Sequence, residues 1–301
     1  MEKPYILHMV TAAKNLSPFD VNMAVDAGWT NCVPYTSVEA EEVQALVQDA
    51  IFSRGPSGVK RTGMFFGGRD MHIAMDMLKI CQDSMVPPFE ISGFADPSGA
   101  FTTAAGMVAK VEKALKEIHN TDFKDKCVLA LGGTGPVGMA AALIAAKQGA
   151  KVKIMGRQKD NAQRVAELCN EKYGSNMTGI QGEAVNMLDS FLDEVDVVFA
   201  TAAAGVQVMS AEQVKLASKL KVAADVNAVP PSGIAGVGVM DDCVAIEGSA
   251  SGAVGIGALA IGNAKYQTQH RILKAMCATD KPVYYHFEHA FKMAREFVAE
   301  K

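Results

Sequence analysis

The chain has 301 residues and a mass of 31.8 kDa, enough for two domains that each bury a core of their own. Apolar residues make up 49% and charged residues 21% of the sequence, as in globular proteins, and no apolar run reaches the roughly 18 residues that cross a bilayer. The net charge of −4 and the lack of a basic stretch argue against a nucleic-acid partner. The amino end has no signal-peptide pattern, so we expect a cytoplasmic enzyme that acts on small molecules.

Strand and helix signals alternate along the first 120 residues. Strands are predicted at residues 5–10, 31–35, 63–66 and 90–95. Helices are predicted at 19–27, 38–53 and 70–85, and a longer one at 102–119 follows a turn at 96–99. Alternation of this kind predicts a parallel sheet wrapped by helices. We therefore expect residues 1–120 to form an amino-terminal α/β domain that binds the substrate.

A dinucleotide-binding turn is predicted at residues 132–138, where GGTGPVG stands between an apolar strand at 127–131 and an alanine-rich helical stretch at 139–147. Gly133 permits the tight turn, Gly135 lets a pyrophosphate approach the backbone, and Gly138 lets the helix lie close to the strand. The helix start supplies free N–H groups and a positive dipole end. An ordinary glycine-rich turn is the alternative. The contacting residues are expected to be Gly133, Thr134, Gly135, Pro136, Val137 and Gly138.

The second strand-to-helix turn indicates which dinucleotide binds. The predicted strand at 151–155 runs into Gly156 and Arg157, with Lys159 two residues later and no acid at the strand end. An acid there would favour NAD, whereas a guanidinium and an ammonium suit the 2′-phosphate of NADP. NADP is predicted, with NAD as a second cofactor. The alternative is that both cations are solvated, with Asp160 capping the next helix or contacting the ribose.

Further strands predicted at 195–201, 221–227 and 243–247 complete a doubly wound sheet, which makes 121–253 a Rossmann-type NADP-binding domain. Ligands bind at the carboxyl ends of such strands, so Thr201, Ala202, Asn227 and Gly257 are expected to line the nicotinamide pocket. The segment 249–262 is too glycine-rich for a stable isolated helix, and its small residues predict close packing. Residues 254–301 are expected to close a cleft between the two domains and to pack back on the first.

The chemistry-bearing residues favour hydride transfer. No nucleophile beside a base and no carboxylate dyad stands out, and no metal site is predicted, because His286 and His289 lack a third ligand. Oxidation of a carbon flanked by nitrogen needs no acid or base, since the nitrogen lone pair stabilises the resulting cation. The protein then has to hold donor and acceptor carbons together and exclude water.

Two groups outside the Rossmann core are candidates for holding the substrate. Phe19 offers an aromatic face for a flat ring, and Asp20 offers a carboxylate for an amino-pyrimidinone edge. The alternative is that Ser17 and Asp20 cap a helix while Phe19 lies in the core. Lys265 follows the glycine-rich segment and could reach the cleft, or it could be a solvated lysine.

Five motifs spread along the chain are far more specific than a glycine fingerprint. They are SPFDVNMA at 17–24, QDAIFSR at 48–54, FADPSGAFTTA at 94–104, DVNAVPPSGIAG at 225–236 and GIGALAIGNAK at 255–265. On these motifs the chain resembles, from end to end, the bacterial NAD(P)-dependent methylene-tetrahydromethanopterin dehydrogenase family.

The resemblance implies reversible oxidation of the methylene group of a reduced pterin to a methenyl cation, with the hydride delivered to the nicotinamide. It also implies methylotrophic one-carbon metabolism and a homo-oligomer, a trimer or hexamer. Phe19 and Asp20 match the family's pterin site and Lys265 its functional lysine, so Asp20 and Lys265 are expected to act in catalysis as well as in binding. Gly156 and Arg157 match its phosphate-binding turn.

Other functions stay open at this stage. Within the pterin class, methylene-tetrahydrofolate is an alternative substrate, and a second cyclohydrolase activity is an alternative reaction. Outside it are a shikimate-type alcohol dehydrogenase, for which no Lys-Asp pair is evident, and a non-catalytic NADP sensor.

Overall fold

The described residues, 3–174 and 179–300, divide into two units in the computed structural model. The first unit runs to Thr102 and also includes Tyr266–Met293. The second holds Thr103–Lys265 and the segment from Ala294 onward. The predicted boundaries at 120 and 253 differ from this division, because the chain returns to each unit near its end. Three long helices each contribute residues to both units.

Strands and helices alternate along most of the described chain. The strands are β1 Ile6–Val10, β2 Asn31–Tyr35, β3 Thr62–Phe66, β4 Ser92–Ala95, β5 Cys127–Leu131, β6 Lys151–Gly156, β7 Gln181–Ala184, β8 Val197–Ala200, β9 Val222–Asp225, β10 Asp242–Ala245, β11 Val254–Ile256 and β12 Tyr284–Tyr285. The helices are α1 Pro18–Asp26, α2 Val43–Phe52, α3 Gly55–Val59, α4 Met71–Asp83, α5 Ala100–Glu117, α6 Pro136–Lys147, α7 Lys159–Tyr173, α8 Ala211–Leu216, α9 Ala258–Cys277 and α10 Phe287–Ala299. None of these helices is long and apolar enough to cross a membrane.

The first unit is built on a parallel five-stranded sheet with the order β12-β4-β3-β1-β2. All five residues of β3 and all four of β4 are buried, as expected for strands covered on both faces. The four strands predicted in this part of the sequence are present, and β2 has the predicted bounds. Strand β12 was not predicted, because two residues carry no recognisable pattern.

The second unit is a seven-stranded sheet with the order β10-β11-β9-β8-β5-β6-β7. Its strands are parallel apart from β10, which pairs antiparallel with β11 at the edge. The order around β5 is that of a doubly wound dinucleotide-binding sheet, with the switch point between β5 and β8. The predicted parallel α/β class is therefore confirmed, and the carboxyl end of β5 is the place for a ligand.

The glycine-rich segment 249–262 forms more regular structure than expected. It contains β11 and, from Ala258, the first turns of the twenty-residue helix α9. Close packing of the predicted kind is present at Gly255 and Gly257, where an added β-carbon would lie 3.1 Å from Cγ2 of Val237 and 2.0 Å from the carbonyl oxygen of Gly238, whereas Gly262 faces open space. Just beyond the segment, a β-carbon on Gly106 of α5 would lie 3.0 Å from the Cβ of Ala264, so small residues let α5 and α9 approach closely.

A charged network ties three helices of the second unit together. Glu112 on α5 is 8% exposed and accepts a hydrogen bond from Arg295 Nε at 2.7 Å, with a second from Nη2. The same Nη2 donates to Gln148 Oε1, just after α6, at 2.7 Å. Removing the guanidinium would leave a buried carboxylate with poorer partners, and this is costly.

We expect Arg295→Met to lower the free energy of unfolding by about 1 to 3 kcal/mol, because Glu112 loses both hydrogen bonds from the guanidinium. The matched control is Lys79→Met, which removes an exposed pair between Lys79 and Asp83 on α4 and should change stability by less than about 0.5 kcal/mol. Thermal and urea unfolding of both variants measure the difference. Equal shifts in the two variants would show that the network is no stronger than a surface pair.

Candidate active site

The turn after β5 is packed so tightly that only glycine fits at three of its positions. Gly132 has a φ of +78°, and a β-carbon there would lie 2.6 Å from the backbone of Ala202. On Gly133 it would lie 2.6 Å from the carbonyl oxygen of Ala130, and on Gly138 2.5 Å from the Cα of Gly133. The structure thus assigns the positive φ to Gly132 and the tight strand contact to Gly133, where the sequence assigned the turn to Gly133 alone.

Gly135 differs from its neighbours because its open side faces free space. A β-carbon there would contact only the carbonyl oxygen of Gly132, at 3.5 Å, among the described residues. Gly135 is the N-cap of α6 and Pro136, without an N–H, opens the helix, while the N–H groups of Val137 and Gly138 lie in its unbonded first turn. An open backbone beside a helix N-terminus is the environment that a pyrophosphate requires.

The second turn meets the first and forms a small polar cavity. A β-carbon on Gly156 would lie 2.9 Å from the Cγ2 of Thr134, so the two turns are in contact. A cavity of about 320 Å³ opens beside them, lined by Thr134, Arg157, Gln158 and Asn161. One guanidinium, two amides and a hydroxyl suit a doubly charged phosphate. Gln158 and Asn161 were not predicted, because an amide on a polar helix start gives no distinctive sequence signal.

Lys159 has a partner within the protein. Its Nζ lies 3.2 Å from Oε2 of Glu183 at the end of β7, a strand that pairs with β6 beside this turn. A hydrogen bond from the backbone of Ala184, followed by the contact with Lys159, holds the pKa of Glu183 below its usual range, so the pair is ionic. Arg157 lines the cavity, whereas Lys159 is partly neutralised by Glu183.

The loops after β8 and β9 are held by side chains rather than left open. The N–H and Oγ1 of Thr201 both donate to the carbonyl oxygen of Leu131, at 2.8 and 3.1 Å. Asn227 Oδ1 accepts from the N–H groups of Gly205 and Val229, and its Nδ2 donates to Pro231. Asn227 thus joins two strand-end loops, and its predicted place in the nicotinamide pocket stays a prediction.

Asp225, the last residue of β9, also holds the loop that follows this strand. Its carboxylate accepts hydrogen bonds from the N–H groups of Asn227, Gly233 and Ile234 at 2.6 to 3.1 Å. Burial raises the pKa of Asp225, and these three donors oppose the rise. Gly257 lies beyond β11, where a β-carbon would be 2.0 Å from the carbonyl oxygen of Gly238. The glycine allows close packing of that loop, and its predicted place in the nicotinamide pocket stays a prediction.

The first unit carries a second cavity, of about 310 Å³, at the carboxyl ends of its strands. It is formed by the segments that follow β1, β3 and β4. Asp20 and Ser17 line it together with Arg69 and Ser98, whose hydroxyl donates to the carbonyl oxygen of Gly68 at 2.6 Å. Arg69 and Ser98 were not predicted, since each belongs to a short turn without a helical or strand pattern.

The two predicted pterin-site residues of α1 have opposite environments. Phe19 is 44% exposed, which rules out the alternative that it is a core residue. Asp20 is only 2% exposed and accepts a hydrogen bond from Gln269 Nε2 at 2.8 Å. Ser17 makes no side-chain capping bond, so the capping alternative is not supported. Lys265 lies on α9 and is half-buried.

A Rossmann sheet with an open glycine turn and an arginine-lined second turn, joined to a separate parallel α/β unit, defines a nicotinamide-dependent dehydrogenase of the two-unit α/β class. Two family models match the chain: the N-terminal region of methylene-tetrahydromethanopterin dehydrogenase at 18–98, and shikimate / quinate 5-dehydrogenase at 112–242. The chain belongs to the NAD(P)-dependent methylenetetrahydromethanopterin dehydrogenase family.

Membership follows from relatives that match nearly the whole chain. The NAD(P)-dependent methylenetetrahydromethanopterin dehydrogenase of Methylorubrum extorquens is 42% identical over 292 residues, which cover 97% of this chain and 98% of the relative. Bifunctional protein MdtA of the same organism is 31% identical over 93% of this chain and 94% of its own. The family predicted from the sequence motifs is thus confirmed.

Solved structures support the fold. Shikimate 5-dehydrogenase from Listeria monocytogenes, in complex with shikimate and NAD, matches with a TM-score of 0.51 at 16% identity, covering 98% of this chain and 96% of that one. Quinate dehydrogenase from Corynebacterium glutamicum, in complex with NAD, gives a TM-score of 0.50 at 12% identity, covering 98% and 99%. At such identities the likeness is one of fold alone.

Two glycine substitutions should distinguish the packing of the turn after β5 from its contact with NADP. Gly138→Ala places a methyl 2.5 Å from Gly133 and 2.7 Å from Thr201 Oγ1, so we expect a loss of about 1 to 3 kcal/mol in stability together with weaker NADP binding. Gly135→Ala meets open space, so stability should change by less than about 1 kcal/mol. Its methyl would nevertheless occupy the phosphate position and lower NADP affinity about tenfold or more.

Calorimetric titration with NADP and thermal unfolding of both variants provide the two readouts. If Gly135→Ala binds NADP as tightly as the unchanged protein does, the pyrophosphate does not lie over this glycine.

Proposed function

We propose that this protein transfers a hydride reversibly from the methylene group of methylene-tetrahydromethanopterin to NADP, giving methenyl-tetrahydromethanopterin, with NAD as a second acceptor. When bound, the nicotinamide supplies the ring carbon that accepts the hydride. The methylene carbon is flanked by two nitrogens, whose lone pairs stabilise the cation left behind. The protein's task is therefore to bind, orient and exclude water rather than to move a proton.

The observation that carries this proposal is the open glycine turn in a chain that belongs to this family over nearly its full length. Gly135 leaves space for the pyrophosphate, and the α6 N-terminus offers N–H groups to it. Thr201 and Ala202 pack on the same turn and fix the end of β8 beside it. This arrangement supports NADP binding in the second unit.

The strand-end cavity of the first unit is the proposed pterin site. Asp20 offers its carboxylate to the amino group and ring N–H of the pyrimidinone edge, because both are donors and a carboxylate is an acceptor. Phe19 offers an exposed aromatic face to the ring system. Lys265 is the family's functional lysine by motif, and we assign it to substrate binding and catalysis on that basis.

Preference for NADP over NAD is proposed to rest on Arg157 more than on Lys159. Arg157 lines the cavity beside Thr134, and a guanidinium donates two parallel hydrogen bonds to phosphate. Lys159 shares its charge with Glu183. With one cation lining the cavity and the other paired with Glu183, the turn favours the 2′-phosphate without excluding a cofactor that lacks it.

The wider setting follows from the family. We propose that the enzyme works in the cytoplasm in methylotrophic one-carbon metabolism as a homo-oligomer, a trimer or a hexamer. Light scattering after size-exclusion chromatography measures the mass directly against the 31.8 kDa chain.

A matrix of two reduced pterins and two nicotinamides tests the proposed activity. We expect reduced nicotinamide to form fastest, by its absorbance, with methylene-tetrahydromethanopterin and NADP, because the family and Arg157 favour that pair. NAD should turn over more slowly. Omission of either substrate should abolish the signal. Turnover only with methylene-tetrahydrofolate would assign the other pterin, and no turnover with either pterin would overturn the proposal.

Two substitutions compare the cations of the second turn. We expect Arg157→Ala to raise the KM for NADP about tenfold or more, since a hydrogen bond to a charged group is worth roughly 1.5 to 3 kcal/mol, while the KM for NAD changes little. The matched variant Lys159→Ala should have a smaller effect, because its ammonium is already paired with Glu183. Initial rates with each cofactor measure both. Equal effects of Arg157→Ala on the two cofactors would remove Arg157 from the phosphate site.

A further inference from the structure

Gln269 is a fully enclosed amide that bonds directly to the proposed pterin-site carboxylate. Its side chain has 0% exposure, and its Nε2 donates to Asp20 Oδ1 at 2.8 Å. The two residues are 249 positions apart in the sequence but belong to the same unit. A buried contact of this kind between distant segments is specific, because each partner must be brought to the other by the fold.

The contact joins a cavity-lining residue to one behind it. Asp20 is the third residue of α1 and lines the strand-end cavity of the first unit. Gln269 lies in α9 and is enclosed. The amide therefore holds the carboxylate from the protein side, where a substrate does not compete for it.

A neutral donor has a different consequence from a cationic one. The amide of Gln269 satisfies one carboxylate oxygen with a neutral hydrogen bond and brings no charge of its own to Asp20. A carboxylate with 2% exposure is costly unless it is hydrogen-bonded. The bond also fixes the side-chain torsions, so the carboxylate is already oriented before a ligand arrives.

We propose that Gln269 is a positioning residue for the pterin, acting through Asp20. Its amide holds the carboxylate in the orientation that receives the two donors of the pyrimidinone edge. This inference rests on the proposed function, since it gives Asp20 the role of pterin ligand.

The test is a double-mutant cycle on Gln269 and Asp20, measured on the full-length enzyme. Gln269→Met keeps a similar volume but removes the donor, and we expect kcat/KM for methylene-tetrahydromethanopterin to fall about tenfold or more, with the KM for NADP unchanged. Asp20→Ala should lower the same constant at least as far. The double variant should be no worse than Asp20→Ala alone, because without a carboxylate there is nothing left to position.

The matched control is Gln267→Ala, the same residue type on the same helix two positions earlier, which faces a different direction and is half-buried. It should leave kcat/KM close to the original value. If Gln269→Met does not fold, Gln269→Asn draws the amide back by one methylene and should show the same loss.

Three results would overturn the inference. In the first, kcat/KM for methylene-tetrahydromethanopterin falls no further in Gln269→Met than in Gln267→Ala. In the second, the double variant loses the product of the two single losses. In the third, Asp20→Ala keeps its full pterin turnover. Failure of the proposed function is a separate outcome, since it would appear as absence of pterin turnover in the unsubstituted enzyme.

Discussion

The close approach of helix α6 to the end of strand β5 is the constraint on which the nucleotide site depends. A β-carbon on Gly138 would lie 2.5 Å from Gly133, so even one methyl would push the helix away. Held at this distance, the helix directs its first N–H groups at the space over Gly135. Ala202, pressed against Gly132, brings the end of β8 to the same place. Glycines are thus needed here because they permit close contact, and the nucleotide site is formed by backbone groups.

Buried carboxylates at the strand ends have different tasks because their partners differ. Asp96 follows β4 and accepts bonds from the N–H groups of Phe101 and Thr102, which secures the start of α5. Asp225 accepts three backbone donors and closes a loop. Asp96 also accepts from the Thr102 hydroxyl at 2.7 Å, and both acids hold nearby backbone in place. Asp20 is bonded by the side-chain amide of a distant helix and lines a cavity, an arrangement suited to a ligand.

Much of the fold could be predicted from the sequence because its strands are short apolar runs bounded by turn residues. Strands β2 and β5 have their predicted bounds, and the glycine turn after β5 lies where expected. Helix α9 was missed at its start because glycine lowers the local helix propensity, and its contact with α5 through Ala264 leaves no local sequence signal. Gln269 could not be found, since its partner lies 249 residues away and no local pattern records that distance.

The choice between NADP and NAD also depends on a contact that the sequence alone does not reveal. From the sequence, Arg157 and Lys159 are equivalent cations in one turn, and both suit a phosphate. The sheet makes them unequal: β7 pairs with β6 so that Glu183 lies opposite Met155, and its carboxylate reaches Lys159. Lys159 is mostly exposed, so the ion pair contributes little to stability, but it engages the lysine's charge beside the proposed 2′-phosphate site. The register of two strands thus distinguishes two cations that the composition of the turn leaves equivalent.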